Sequence, residues 1–125
     1  MNFKIATLLA VLSICSTSCK TDDAPNSIVC TEQFVYGLNI TLKDATTSNI
    51  INSDVEVIAT DGNHQETLMT GYGSDSFFGA GERPGTYIVT VTSPNYQTFT
   101  SDPITLISDE CHVIPKTFEF SLQPK

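Results

Sequence analysis

The chain has no tryptophan, no Cys-x-x-Cys, and only six lysines and arginines against fourteen aspartates and glutamates in 125 residues. Each shortage excludes something. At a formal charge of −8 it lacks the positive patches that nucleic acids and anionic lipid surfaces require, so no nucleic-acid partner is expected. Without Cys-x-x-Cys or paired His spacing, no metal site is expected. No G-x-S-x-G elbow, H-E-x-x-H or Gly-rich phosphate loop occurs. The two histidines are poorly placed for catalysis, since His64 lies in a polar stretch and His112 directly follows Cys111. The expectation is therefore a non-enzyme with no catalytic residues and no cofactor. The uncharged run "IATLLAVLSI", Ile5 to Ile14, would rise only about 15 Å as a helix, half of a bilayer's hydrocarbon core, so it cannot span.

What is present begins with a leader. Lys4 precedes the apolar run and small residues follow it, the order of a secretion signal. The ending resembles a bacterial lipobox, in which a cysteine is cleaved at its amino side and acylated. Two registers compete: "LSIC" at Cys15 places bulky Ile14 before the cysteine, whereas "STSC" at Cys19 places small Ser18 there. A pocket built for a small residue favours Cys19. The organisation expected is a lipoprotein signal peptide over 1–18, an acylated Cys19 with a flexible acidic tether over 19–29, and one domain over 30–125. "KTDD", Lys20 to Asp23, resembles the tag that sends some Gram-negative lipoproteins to the outer face of the outer membrane. The implied location is the cell envelope, as an outer-membrane lipoprotein exposed at the surface and held to the membrane by its lipid.

Behind that leader two cysteines remain, Cys30 and Cys111, bound for an oxidising compartment. They bracket nearly the whole domain, which points to a disulfide tying the first strand to the last. In the chain-entropy model such a closure contributes roughly 4 kcal/mol. Two separate thiols are the competing reading.

Period-two alternation dominates the domain. In "FVYGLNITL" Phe34, Tyr36, Leu38, Ile40 and Leu42 are apolar, one face of a strand, and Cys30 shares their parity. "DVEVIAT" reads as a second strand, "DGN" as a hairpin turn, "HQETLMT" as an exposed third strand, and "SFFGA" as a fourth. "ERPG" reads as a type II turn with Gly85 at positive φ. "TYIVTVT" places Tyr87, Val89 and Val91 on one side, and the last strand sets Phe118, Phe120 and Leu122 against Thr117, Glu119 and Ser121. About seven short strands joined by Gly, Pro and Asn turns imply an all-β sandwich.

"GTYIVTVTSPNYQTF" carries the pattern G-x-Y-x-V-x-V-x-x-x-G-Y with Asn95 in place of the last Gly. With "DVEVIAT" before it, this resembles the carboxypeptidase regulatory-like domain over about residues 30–122. The resemblance implies a seven-stranded Greek-key β-sandwich, prealbumin-like (transthyretin-like) or Ig-like, close to the carbohydrate-binding-like fold and acting as a non-catalytic structural or interaction module. Asn tolerates the left-handed conformation better than most residues, so the turn at Asn95 should survive. The fold also hosts a hydrolase that depends on a C-terminal "YRGS", whereas this chain ends "SLQPK".

One stretch invites a ligand. "GYGSDSFFGAGE" gathers Tyr72, Asp75, Phe78 and Glu82, and apolar rings beside carboxylates suit the faces and hydroxyls of a sugar. Adjacent Phe77 and Phe78 must point to opposite faces, so one of them belongs to the core. The partner expected is an envelope protein or a glycan.

Overall fold

The computed structural model describes residues 27–125. The expected signal peptide, Cys19 and the tether up to residue 26 lie outside the described residues. Ile28 and Val29 are exposed and in no regular element.

Nine strands and no helix occur among the described residues. They are β1 (Tyr36–Asp44), β2 (Glu56–Asp61), β3 (His64–Thr67), β4 (Met69–Thr70), β5 (Ser76–Gly81), β6 (Gly85–Thr92), β7 (Phe99–Thr100), β8 (Ile104–Leu106) and β9 (Lys116–Leu122). They form two sheets. One has the order β4-β5-β1-β9; the other runs β3-β2-β6-β7, with β8 also on β6. Most pairs are antiparallel, but β1 and β9 run parallel, with Leu38 opposite Lys116 and Asp44 opposite Leu122.

The alternation explains the core. Leu38, Ile40 and Leu42 of β1 face Val57, Ala59, Tyr87, Val89 and Val91 of the other sheet in one buried cluster. Each large side chain so buried contributes roughly 1.5–3 kcal/mol relative to exposure. Tyr87 is fully buried yet satisfied, because its hydroxyl donates to the Arg83 carbonyl at 3.0 Å and accepts from Arg83 Nη1 at 2.9 Å. Arg83 also pairs with Asp61 at 2.8 Å, which binds the start of β6 to the end of β2.

Several expectations need correction. Phe34 and Tyr36 do not join the core; they are 60% and 48% exposed. Gly37 is buried instead, so close to the Leu106 and Val113 side chains that a Cβ there would collide with them. Gly37 and Leu38 are thus both buried, and the inward alternation does not extend back to Tyr36 and Phe34. Cys30, expected to share that face, is exposed as well.

"HQETLMT" is not one strand. Leu68 is buried, its N–H donating to the Val57 carbonyl at 2.7 Å, and the chain passes there from β3 in one sheet to β4 in the other. This crossing, with the two-residue β4 and β7, raises the number of strands above the seven that the pattern implies.

The turn at "ERPG" is also different. Gly85 takes φ 154°, and the left-handed residues are Ala80 and Glu82, at φ 52° and 49°. Such a conformation costs roughly 1–2 kcal/mol for a residue with a Cβ, and both backbones are held by side chains or neighbouring strands. The Ala80 N–H donates to Glu66 Oε1, and the Glu82 N–H to the Val35 carbonyl at 2.8 Å. Asn95 has no positive φ; its N–H is taken by Ser93 Oγ at 3.1 Å, so the position does not need a glycine. Gly62, by contrast, opens the two-residue β2–β3 turn at φ 57°, as the hairpin signal implied.

Candidate functional site

Two regions bring chemistry-bearing side chains together. The first is the end of the molecule where β1 and β9 begin. Cys30 and Cys111 are joined in a disulfide with Cα atoms 5.2 Å apart, tying the segment ahead of β1 to the segment ahead of β9. Glu82 organises the surroundings. Its carboxylate accepts the Val35 N–H at 2.8 Å, the Val113 N–H at 3.3 Å and His112 Nδ1 at 2.7 Å. Burial pushes the carboxyl pKa up, but the bonds from His112, Val35 and Val113 outweigh it and leave the pKa below the ordinary value. On the far side of the imidazole, Thr31 Oγ1 lies 3.1 Å from His112 Nε2. Asp109 accepts the N–H groups of Cys111 and His112, both at 2.8 Å, and these two bonds lower its pKa. Hydroxyl, imidazole and carboxylate thus stand in relay order, with the carboxylate also occupied by two backbone amides. The arrangement latches residues 31–35 onto residues 112–113.

The second region is a cleft of about 500 Å³ on the outer side of the β4–β5–β1 sheet, within the range of small-ligand sites. Phe34, Tyr36, Phe78 and Met69 line it, with Glu66, Thr67 and Thr70. Phe34 and Tyr36 meet edge to face at 5.0 Å between centroids, and Tyr36 lies 5.8 Å from Phe78. The Phe34 ring rests directly over Gly81, where any side chain would displace it. The rings are held in place by this packing while Phe34, Tyr36 and Met69 stay largely exposed. Glu66 is the acid of the cleft; its Oε1 accepts the Ala80 N–H and its Oε2 lies 2.9 Å from His64 Nε2.

The four residues singled out for a ligand do not converge. Phe78 lines the cleft and is half-buried, while Phe77 is in the core. Tyr72 sits fully exposed on the Gly71–Ser74 turn, and Asp75 accepts from Asn52 Nδ2 at 3.2 Å. Glu82 lies beyond the other end of β5, whose six residues separate it from Asp75 by roughly 20 Å. Phe34, Tyr36 and Met69 were not recognised from sequence as cleft residues. Their signal was misread: the apolar alternation that assigned Phe34 and Tyr36 to the core does not say where a strand leaves it.

Tyr96 of the family-like motif has a structural partner. Its hydroxyl donates to Asp44 Oδ2 at 2.8 Å, and Asp44 Oδ1 accepts the N–H groups of Thr46 and Thr47 at 2.7 and 3.0 Å. The Thr47 bond leads in lowering the Asp44 pKa to about 2, followed by the Tyr96 bond. No group of three or more His, Cys, Asp and Glu residues capable of holding a metal ion occurs among the described residues. No family model matches the chain, and no curated protein matches it.

Proposed function

We propose that this chain is a lipid-anchored protein of the cell envelope, acylated at Cys19, whose domain works without turnover as a structural or interaction module. We further read that domain as carboxypeptidase regulatory-like, a Greek-key sandwich of the prealbumin or Ig-like kind. The observation that carries the reading is the Cys30–Cys111 bridge. It fits an exported chain, and it stands eleven residues behind a lipobox-like cysteine. The net negative charge and the polar stretch from Lys20 to Asn26 support a solvated leash rather than adsorption to anionic lipid. Labelling cells with a radioactive fatty acid tests it. The label should enter the chain and be lost on Cys19→Ser, and the wild-type chain should fractionate with membranes. An unlabelled chain in the soluble periplasmic fraction would refute the anchor.

The second reading, a glycan-binding surface receptor, is favoured by the exposed ring cluster of Phe34, Tyr36 and Phe78. Ring faces stack on the C–H faces of sugars, and the hydroxyls of Tyr36, Thr67 and Thr70 border the same cleft. Screening the chain on an array of oligosaccharides of varied composition tests this reading. Binding should disappear in Tyr36→Ala and persist in Tyr72→Ala.

A further inference from the structure

The four-stranded sheet has two unlike edges. On one side it closes with β4, only two residues long; on the other it ends at β9, seven residues long. Short strands are a usual way of blunting an edge, and β9 lacks that protection. Its flanking prolines, Pro115 and Pro124, stand just outside it. In a parallel ladder successive residues turn their backbone groups to opposite sides. Leu122 accepts the Ala45 N–H at 2.9 Å, so Phe118, Phe120 and Leu122 turn theirs to β1. Thr117, Glu119 and Ser121 turn theirs outward. Among the described residues nothing pairs with those three. The first covered position on that side is Gln123, whose carbonyl accepts the Gln97 N–H at 2.8 Å.

Beside this open edge lies a groove of about 350 Å³ between the sheets. Phe99 of β7, Ile104 of β8, and Phe118 and Phe120 of β9 line it, with Phe99 and Phe120 rings 4.6 Å apart. Phe118 and Phe120 remain half-buried where Leu122, two residues on, is buried. Unpaired backbone donors and acceptors next to apolar pockets for alternate side chains are what strand addition requires.

The occupant follows from the charge. A second copy laid antiparallel in full overlap would set Glu119 against Glu119, and each copy carries a formal charge of −8. Glu119 pairs with Lys43 of β1 at 2.9 Å yet stays more than half exposed, so a strand from another protein with a Lys or Arg on its free side meets no such repulsion. We propose that the free edge of β9 docks an extended segment of a partner protein, alternating apolar residues toward the Phe99–Phe120 groove with basic residues on the outer face. The proposal deepens the interaction-module reading and rests on it, but does not depend on the lipid anchor or the ring cleft.

Amide hydrogen exchange on the whole chain in detergent provides the test. The probe is a synthetic peptide of about nine residues, enough to span the edge, alternating valine and phenylalanine with lysine and threonine. The amides of Thr117, Glu119 and Ser121 should exchange rapidly in the free chain and at least about tenfold more slowly with peptide, while those of Phe118, Phe120 and Leu122 stay slow throughout. Ser121→Pro removes an outward N–H that the fold does not use, so it should leave the melting temperature nearly unchanged and weaken peptide binding about tenfold or more. Replacing lysine by glutamate in the peptide should also weaken binding. Protection of the three amides in the free monomer would overturn the proposal, as would protection that appears with chain concentration alone. Absence of any binding sinks it too. Binding that protects residues around Tyr36 and Phe78 instead overturns the edge while leaving the interaction-module reading intact.

Discussion

The middle of the molecule and its disulfide end are held together by different physics. In the middle, Leu38, Ile40 and Leu42 meet Tyr87, Val89 and Val91, all nearly or fully buried, and the stabilisation is spread over many apolar contacts. At the end, the segments before β1 and β9 lie outside both sheets. Order there comes mainly from one covalent bond and from Glu82, Asp109 and His112, with Val113 the one buried apolar side chain among residues 108–115. Spread-out burial loses stability in proportion to what is removed, whereas a latch made of a few directional bonds can be opened one bond at a time.

The largest effect should come from breaking the middle. Tyr87→Ala removes the biggest fully buried side chain and the partner of Arg83, and should cost about 3–5 kcal/mol in urea unfolding. Second comes the end: replacing Cys30 and Cys111 together by serine should cost roughly 2–4 kcal/mol, while the far-ultraviolet circular dichroism of the folded chain stays that of a β protein. A larger loss for the serine pair than for Tyr87→Ala would reverse the ranking.

Glu82→Ala sharpens the contrast further. It strips the acceptor from the Val35 and Val113 amides, so their hydrogen exchange should quicken about tenfold while that of Val89 holds. Equal acceleration at all three amides would show the latch and the core to be one cooperative unit. The smallest effect is in acid. The Asp44 pKa, lowered from 3.8 to about 2, lies below its unfolded value. Its stabilisation is therefore complete above about pH 4 and lost as pH falls through about 2. Urea midpoints should be level from pH 7 to 5 and decline below 4, and Asp44→Asn should make that decline shallower. Glu82 and Asp109, lowered in the same direction, contribute to the same acid window.

The same division governs what can be read from the residues alone. The interior is legible because a half-buried strand forces period two, and β6 and β9 follow their alternation closely. The bridge is legible because Cys30 and Cys111 bracket nearly the whole domain. What alternation cannot reveal is where a strand stops facing the core. Phe34 and Tyr36 keep the period yet lie on the outer side, and Leu68 interrupts a run that looks continuous because the chain changes sheets there. Left-handed Ala80 and Glu82 carry no local signal either. Their backbones are fixed by Glu66 and Val35, which are distant in sequence. The ring cleft is therefore legible only in part: Phe78 stands out in the sequence as a candidate, whereas the pattern assigns Phe34 and Tyr36 to the interior.

The parallel run of β1 beside β9 has a mechanical consequence. Both strands start from the end where Cys30 is joined to Cys111, so a tug on the residues ahead of Cys30 reaches two neighbouring strands from the same end. Because both strands are drawn the same way, the ladder between them is spared, and the load passes in shear to the ladder between β1 and its other neighbour, β5. The disulfide thus spreads a pull applied ahead of Cys30 over two strands instead of one.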